Sequence, residues 1–402
     1  MNSATSVFTP TSRISLHMFS LPSVVGFYFA ARECMTYLFF TASPDLGAEV
    51  VFAISMALLL VAVFQSYGPA TTRLSSALRA PALRWVLVFL GVSLLSLSWS
   101  VTVSRPIAFA YWLGMAADTA TVLLLLRTDR ILPLASRLLG GYVAGVCVIA
   151  IVMWLSPTMS DLRPGDDEFF SPNAIGFALG FGCFLAQYLL RTRPGYKWPA
   201  IFLAVSLLRS LSKTTILAFA IGQIVVLMRN KSLPKSARRN IILIALIILA
   251  VFAPLLIAYS DVYLNAGNQA VTLTGRIGIW GLVLERAIDN PWLGHGFHSF
   301  RHVIPAFGDF ETWHAHNELV QQFYLYGIVG IVMLFGIYVS FYRQVRLVRD
   351  SALRALFGGL LLFVAIRGLA DSERFDLSLP LWSIALLSLL LYQQRDAEAL
   401  QW

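Results

Sequence analysis

The chain has 402 residues, of which 58% are hydrophobic and 13% are charged, and its formal net charge is +9. A soluble domain has about 45–50% apolar and about 25% charged residues, so the composition excludes a soluble globular enzyme, a disordered chain and a secreted disulfide scaffold. The positive charge does not indicate a nucleic-acid partner, because the basic residues fall between apolar runs, as topology signals do. The sequence therefore predicts a polytopic membrane protein.

Apolar runs long enough to cross a bilayer follow one another along the whole chain. They predict about twelve transmembrane helices, at 14–42, 50–66, 83–99, 106–126, 132–155, 173–190, 198–208, 214–228, 240–259, 319–341, 355–369 and 377–392. The first run is interrupted by Arg32 and Glu33 and could form one helix or two pieces. We expect an all-α fold in which 1–402 is a single integral membrane domain.

The charges of the connecting loops alternate in sign, which predicts the orientation of the chain. With the N-terminus inside, the cytoplasmic loops hold Arg73, Arg79, Arg127, Arg130, Arg191, Arg193, Lys197, Arg229, Lys231, Lys235, Arg238, Arg239, Arg343, Arg346, Arg349 and Arg354. The outer loops hold most of the acidic residues. This arrangement follows the positive-inside rule, and an even number of spans then places both termini in the cytoplasm.

Two segments depart from the regular pattern. The seventh run is short and ends in Arg209-Ser-Leu-Ser-Lys213, and basic residues at membrane depth are usually either functional or snorkelling to the interface. The second segment is a long extracytoplasmic loop at 260–318. Loops of this length are usually functional or disordered, and the many aromatic residues of this one argue against disorder.

Polar clusters in the outer loops suggest several kinds of site. Five histidines fall in the long loop: His295, His298, His302, His314 and His316. They could be incidental in a wet loop, the first three could share a helix face and bind zinc, or one could be a catalytic base. The acidic run Asp166-Asp167-Glu168 fits either an Mg²⁺ or Ca²⁺ site or an exposed turn.

The segment His314-Ala-His316-Asn317-Glu318, followed by Gly327-Ile-Val-Gly330, resembles the signature of the O-antigen ligase and Wzy-type polysaccharide polymerase superfamily. Four other elements are similar to motifs of that superfamily: Ser98-Trp99-Ser100 before Pro106, Ser210-Leu-Ser212-Lys213-Thr214, Thr272-Leu-Thr-Gly275-Arg276-Ile-Gly-Ile-Trp280, and Asn290-Pro291-Trp-Leu-Gly294-His-Gly296-Phe297. Lysine at 213 replaces the usual arginine. The resemblance covers most of the chain and is dense from about 205 to 330.

The resemblance implies a GT-C-like glycosyltransferase fold in the bacterial inner membrane, with the catalytic loop in the periplasm. Such enzymes transfer a glycan from an undecaprenyl-pyrophosphate carrier to an acceptor hydroxyl, with inversion and without a metal or other cofactor. The implied partners are the lipid-linked glycan donor, a glycan-lipid acceptor and membrane lipids, with a chain-length regulator as a further candidate.

The residues that match the family motifs receive roles by this resemblance. His316 is expected to be the general base, and Arg276 with Lys213 or Arg209 is expected to bind the pyrophosphate, since arginine grips phosphate oxygens in a bidentate way. Residues expected to support the site or contact sugar are His314, Asn317, Trp313, Arg367 and Arg374. For Arg367 and Arg374, ion pairs with Asp371 and Glu373 are the alternative to a phosphate contact.

Three functions remain open at this level. The motifs favour a polymerase that joins lipid-linked repeat units into exopolysaccharide or O-antigen. A ligase that transfers the finished glycan to lipid A-core is the alternative within the family. A transporter or flippase for polysaccharide or lipid-linked glycan is the alternative of another class, because a broken span with basic residues also suits one.

Overall fold

The structure is a computed structural model, and it describes residues 20–68, 77–159, 162–166, 170–265, 273–301, 303–305 and 313–399. Within these ranges the chain forms thirteen α-helices and one short 3₁₀ turn at Pro194–Tyr196. The helices are α1 Leu21–Phe39, α2 Pro44–Ser66, α3 Pro81–Ser96, α4 Arg105–Thr128, α5 Ile131–Leu155, α6 Pro172–Leu190, α7 Lys197–Arg209, α8 Lys213–Arg229, α9 Lys235–Asn265, α10 Leu273–Ala287, α11 Glu318–Leu347, α12 Ser351–Gly368 and α13 Leu381–Ala399.

The all-α polytopic fold is confirmed, and each of the twelve apolar runs coincides with one helix. Seven helices of the described ranges are long and apolar enough to cross a membrane, namely α2, α4, α5, α6, α9, α11 and α12. Helix α3 and the 381–394 part of α13 are shorter apolar helices. The number of twelve spans and the orientation stay predictions. One helix, α10, lies inside the segment expected to be a loop.

The described part of the first apolar run, from residue 20 onward, forms one continuous helix, Leu21–Phe39, despite its two charged residues. Arg32 of α1 pairs with Asp118 of α4 at 2.5 Å, and the Asp118 side chain is 7% exposed. A charge inside a membrane bundle is tolerated when it is paired in this way. Close packing also fixes α1, because a Cβ on Gly26 would lie 1.9 Å from the Leu138 carbonyl oxygen of α5.

Helix α11 breaks at Gly327, and the loop before the helix fills the break. Gly327 has φ 61° and ψ −148°, which only glycine adopts readily. The Ile328 amide donates to Pro291 O at 2.8 Å, and the amides of His295 and Gly296 donate to Tyr324 O and Leu325 O at 3.0 and 2.8 Å. The backbone groups released by the kink are therefore satisfied within the protein, as a helix in a membrane requires.

The same loop is also fastened to the end of α3. The Phe297 amide donates to Ser96 Oγ at 2.9 Å, and the Ser100 hydroxyl donates to Phe297 O at 2.6 Å. A Cβ on Gly296 would lie 2.6 Å from Ser100 Cα, so this glycine permits the contact. The glycines of the Pro-x-x-Gly-x-Gly-Phe element thus hold the loop between α3 and the α11 kink.

Helices α8 and α12 run antiparallel, because Phe219 of α8 and Phe363 of α12 meet with their ring centroids 6.3 Å apart. They touch at Gly222 and Gly359, where an added Cβ on Gly222 would lie 2.8 Å from Gly359 O. Lys213 lies nine residues before Gly222, and Gly368 lies nine residues after Gly359. At 1.5 Å per residue both ends are about 13 Å from the crossing, so the start of α8 and the end of α12 share one depth.

Candidate active site

Two histidines and one aspartate form the centre of the site, between the start of α11 and the end of α12. His316 Nδ1 lies 3.1 Å from Asp371 Oδ1, and His314 Nε2 lies 3.2 Å from the same oxygen. The ring centroids of the two histidines are 4.1 Å apart. Their side chains are 16% and 15% exposed, so both rings are largely shielded from solvent.

The start of α11 sets the position of the histidines. Asn317 caps the helix, since its side-chain oxygen accepts the Val320 amide at 3.1 Å. Its Nδ2 donates to Leu369 O at 2.9 Å and so ties the cap to the segment after α12. His316 has φ 50°, a left-handed conformation that is uncommon for a residue with a side chain. Strained backbone of this kind is concentrated at functional sites.

Arg367 keeps Asp371 ionised. Its guanidinium lies 3.2 Å from Asp371 Oδ2 and 2.9 Å from Glu373 Oε1, and the side chain is 2% exposed. Burial alone would raise the pKa of Asp371, but Arg367 and the hydrogen bonds from His314 and His316 outweigh burial and hold the pKa well below its usual value. The ion-pair alternative therefore describes Arg367, which binds two carboxylates inside the protein.

The protonation states follow from these contacts. The pKa of His314 is lowered to about 3, first because the ring is buried and then because His316 lies beside it, and its contact with Asp371 only partly opposes this. An ionised carboxylate accepts hydrogen bonds and donates none, so each ring must present an N–H to Asp371. In the neutral form of His316 the lone pair is then on Nε2, which is the atom able to accept a proton from a hydroxyl.

Arg276 lies beside this group, as the motif resemblance implies. Its Nη1 donates to the carbonyl oxygen of Ala370, the residue immediately before Asp371. The same helix, α10, contacts the histidine segment through Trp280, whose Nε1 donates to Ala315 O at 2.8 Å. The Gly-Arg-x-x-x-Trp element therefore has a structural explanation, because its tryptophan fixes α10 against the segment that carries His316.

Lys213 and Arg209 lie on either side of the turn between α7 and α8, at the depth of the end of α12. Lys213 Nζ is 5.1 Å from the ring centre of Tyr259. Arg209 donates to Leu162 O at 3.3 Å and lies over Trp154. The turn between them packs on α6, where a Cβ on Gly176 would lie 2.8 Å from Ser212 Cβ, and the next residue of α6, Phe177, lies under Arg367 at 4.4 Å.

Trp313 and Arg374 contact each other. The guanidinium carbons of Arg374 and Arg301 lie 4.1 and 3.5 Å from the centre of the Trp313 ring. Both distances are within the range in which the face of an indole attracts a cation. Arg374 also reaches the site through its backbone, because Gln321 Nε2 donates to Arg374 O at 3.5 Å and Gln321 Oε1 accepts the Ala315 amide at 2.8 Å.

The other histidines of the loop take part in packing. His295 stacks on Tyr324 with ring centroids 4.6 Å apart, and His298 contacts the Thr102 hydroxyl at 2.9 Å. His302 lies outside the described residues. In the acidic run, Asp166 Oδ1 accepts the Phe170 amide at 2.9 Å, as in a turn, while Asp167 and Glu168 lie outside the described residues.

One group of side chains in the described ranges has the donor set of a metal site. The ligand atoms of His314, His316 and Asp371 lie within 4.8 Å of one another, and imidazole with carboxylate suits zinc. This group differs from the three histidines that the sequence suggested. The positive charge of Arg367 on the same carboxylate disfavours a second cation there.

Comparison with known proteins agrees with the motifs. Residues 198–335 match the Wzy_C family model, described as O-antigen ligase. The chain is 25% identical over 315 residues to the exopolysaccharide production protein ExoQ of Rhizobium meliloti (strain 1021), which covers 70% of each chain. These matches confirm the resemblance to the O-antigen ligase and Wzy-type superfamily. The matched family segment contains Lys213, Arg276 and His316.

The contact of Asp371 with the two histidines was not predicted, because the sequence offers Asp371 only as a partner of the nearby arginines. The sequence does contain one indication that Asp371 faces the protein interior. Arg367 and Asp371 are four residues apart at the end of an apolar run, where an ion pair is expected to point inward. The contact with His316 spans 55 residues of sequence and is visible only in the fold.

Proposed function

We propose that this protein is a bacterial inner-membrane glycosyltransferase that polymerises undecaprenyl-pyrophosphate-linked glycan repeat units. The observation that carries the proposal is the His316–Asp371 contact of 3.1 Å at the start of α11, with Arg276 bonded to the adjacent carbonyl. A histidine oriented by an ionised carboxylate is a recurring arrangement for a general base.

In the proposed reaction, His316 Nε2 takes the proton of the acceptor sugar hydroxyl as its oxygen bonds to the anomeric carbon of the donor. The bond between that carbon and the pyrophosphate oxygen breaks, and the lipid pyrophosphate leaves as an anion. Attack from the face opposite the leaving group inverts the configuration. Asp371 accepts the Nδ1–H throughout and stabilises the imidazolium that forms.

The leaving pyrophosphate needs positive charge at the depth of the histidines. Arg276 donates to the carbonyl oxygen of Ala370, the residue before Asp371, while Arg209 ends α7 and Lys213 begins α8. Fixed cations aimed at the developing charge lower the barrier for its departure. We therefore assign pyrophosphate binding to Arg276 with Lys213 or Arg209.

A polymerase is favoured by the similarity to an exopolysaccharide production protein, and a ligase by the description of the family model. Purified protein supplied with lipid-linked repeat units alone, and then with lipid A-core added, separates the two. Growth of a polymer ladder without core supports the polymerase. Transfer that requires core supports the ligase, and absence of any transfer with both substrates contradicts the proposal.

The proposed reaction uses no metal, because the arginines supply the positive charge. Treatment with EDTA should therefore leave the initial rate of chain growth within about two-fold of the untreated enzyme. Loss of turnover that Zn²⁺ or Mg²⁺ restores would instead assign a metal to His314, His316 and Asp371, whose donor atoms are suitably close.

The proposal places the site on the periplasmic side and both termini in the cytoplasm. Asp289 follows α10, in the segment assigned to the periplasm, and Lys231 follows α8, in a loop assigned to the cytoplasm. A membrane-impermeant thiol reagent applied to intact cells should label Asp289→Cys and spare Lys231→Cys. The reverse pattern would overturn the orientation.

A further inference from the structure

A cavity of about 550 Å³ lies at the end of the bundle opposite to the histidines. Its walls come from the start of α3, the last turns of α11 and the end of α13, and include Arg79, Arg84, Trp85, Arg343, Gln344 and Tyr392. Arg343 follows Glu318 by twenty-five residues along α11. At 1.5 Å per residue this corresponds to roughly 35 Å, so the cavity is at the other membrane face from the proposed active site.

Three arginines of this cavity differ from other basic residues near the same face in their ion pairing. Arg137 is paired with Asp129, and Arg191 is paired with Asp350. Among the residues that the structure describes, no carboxylate forms an ion pair with Arg79, Arg84 or Arg343. All three side chains are exposed at the cavity, and the N-terminus of α3 adds its partial positive charge to theirs. The cavity is therefore suited to an anion.

The walls of the cavity are held in place by close contacts. A Cβ on Gly336 would lie 2.5 Å from the Trp85 ring, so the glycine lets the Trp85 ring of α3 pack directly on the backbone of α11. The Gln344 side chain is buried and exchanges hydrogen bonds with Ser388, at 2.8 Å to the hydroxyl and 3.1 Å to the carbonyl oxygen. These contacts fix α3, α11 and α13 around the arginines before any ligand binds.

An apolar path leads from the arginines toward the membrane centre. Val88 is one turn beyond Arg84 on α3 and is 46% exposed, and Val339 is one turn before Arg343 on α11 and is 41% exposed. Phe335, a further turn along α11, is 53% exposed. Residues four apart share one helix face, so charged groups and apolar surface are continuous on both helices. A free anion needs no such surface, whereas an acyl chain does.

We propose that this cavity binds an anionic phospholipid, with the phosphate between Arg79, Arg84 and Arg343 and an acyl chain along Val88 and Val339. Basic pockets between transmembrane helices are suited to anionic headgroups. The inference concerns a part of the molecule that the proposed transfer reaction does not use. It therefore stands or falls separately from that reaction.

The test uses the full-length protein in detergent with equal amounts of phosphatidylglycerol and phosphatidylcholine of the same acyl chains, and counts bound lipids by native mass spectrometry. The site variant is Arg84→Gln/Arg343→Gln. The matched control is Arg229→Gln/Arg346→Gln, which removes two exposed arginines from helix ends at the same face and outside the cavity. A double lysine variant, Arg84→Lys/Arg343→Lys, keeps the charge.

We expect wild type, the control and the lysine variant to retain phosphatidylglycerol in preference to phosphatidylcholine. The site variant should bind phosphatidylglycerol about 30-fold more weakly, because it loses two arginines that face the headgroup in the cavity, each contributing about 1 kcal/mol toward an anionic lipid. If the double variant does not fold, Arg84→Gln alone should weaken binding about 5-fold.

Equal retention of the two lipids by wild type would overturn the proposal, as would equal losses in the site variant and the control. Competition with inorganic phosphate separates a lipid from a free anion. The bound phosphatidylglycerol should resist an excess of phosphate, because phosphate lacks the acyl chain. Complete displacement would show that the site recognises a free anion and would overturn the assignment of a lipid.

Discussion

Replacing Asp371 with asparagine tests the contact on which the proposed mechanism depends. The substitution keeps the size of the side chain and one acceptor oxygen but removes the negative charge. In the native protein that charge lies 3.1 Å from His316 Nδ1 and 3.2 Å from Arg367. In the variant, Arg367 retains Glu373 at 2.9 Å and therefore still has a carboxylate partner. The fold should persist while the imidazolium loses its counter-charge.

The size of the effect follows from the bond that strengthens during the reaction. A hydrogen bond to a charged group contributes about 1.5–3 kcal/mol, and here one such bond faces a ring that becomes positive as it takes the proton. Arg367 would then face the imidazolium without an intervening carboxylate, which places the loss near the upper end. About 2–3 kcal/mol corresponds to a decrease in kcat of about 30–150-fold.

The assay is the initial rate of polymer growth from purified lipid-linked repeat units. Glu373→Gln is the matched control, because it removes the other carboxylate from the same arginine and leaves the contact of Asp371 with the histidines in place. We expect this control to retain activity within about three-fold. Equal rates for the two variants, or a wild-type rate for Asp371→Asn, would refute the role of Asp371 as the group that orients His316.

Three further outcomes are expected. His316→Ala should lower the rate by about 10²–10⁴-fold with little change in Tm, and His314→Ala should lower the rate much less. An inactive His314→Ala variant together with an active His316→Ala variant would show that His314 is the general base instead. Arg276→Ala should raise the KM for the donor by about 10–100-fold, and an unchanged KM would exclude a phosphate contact. Arg276→Lys should restore binding only in part, because lysine keeps the charge but lacks the fork geometry of arginine. Burial raises the pKa of Asp376 to about 7, so this carboxyl stabilises the folded state below pH 4 and that contribution is lost as the pH rises to about 7, while the lowered pKa of His314 acts in the opposite sense below about pH 6.5. The Tm of Asp376→Asn should therefore rise relative to the Tm of the wild type as the pH rises from 4 to 7, and a constant difference between the two would contradict this assignment.

The positions of the helices could be predicted from the sequence because an apolar run is a local property. Each of the twelve runs has its helix, and the short seventh run correctly marked the break between α7 and α8. Helix α10 was missed, since it carries Arg276, Glu285 and Arg286 in fifteen residues and does not have the composition of a span. Its apolar residues Ile279 and Val283 are buried in the protein.

The candidate site could be predicted only as far as its motifs reach. The His-Asn segment and the glycines of the loop are local signals, and the structure gives both of them definite roles. The orienting carboxylate could not be identified in the same way, because Asp371 meets His316 only after α11 and α12 fold back on each other. An acidic residue near an arginine is also adequately explained by an ion pair. The sequence then gives no reason to look for a second contact of the same carboxylate.

The break at Gly327 has a consequence for constructing chimeras between this protein and its relatives. The segments 290–297 and 324–329 exchange four backbone hydrogen bonds, through the amides of His295, Gly296, Ile328 and Val329. An exchange of the outer loop alone would separate the two halves of that pairing and leave polar backbone exposed to lipid. The transferable module is therefore the loop together with the first three turns of α11, and a graft of this size also carries His316 and its cap.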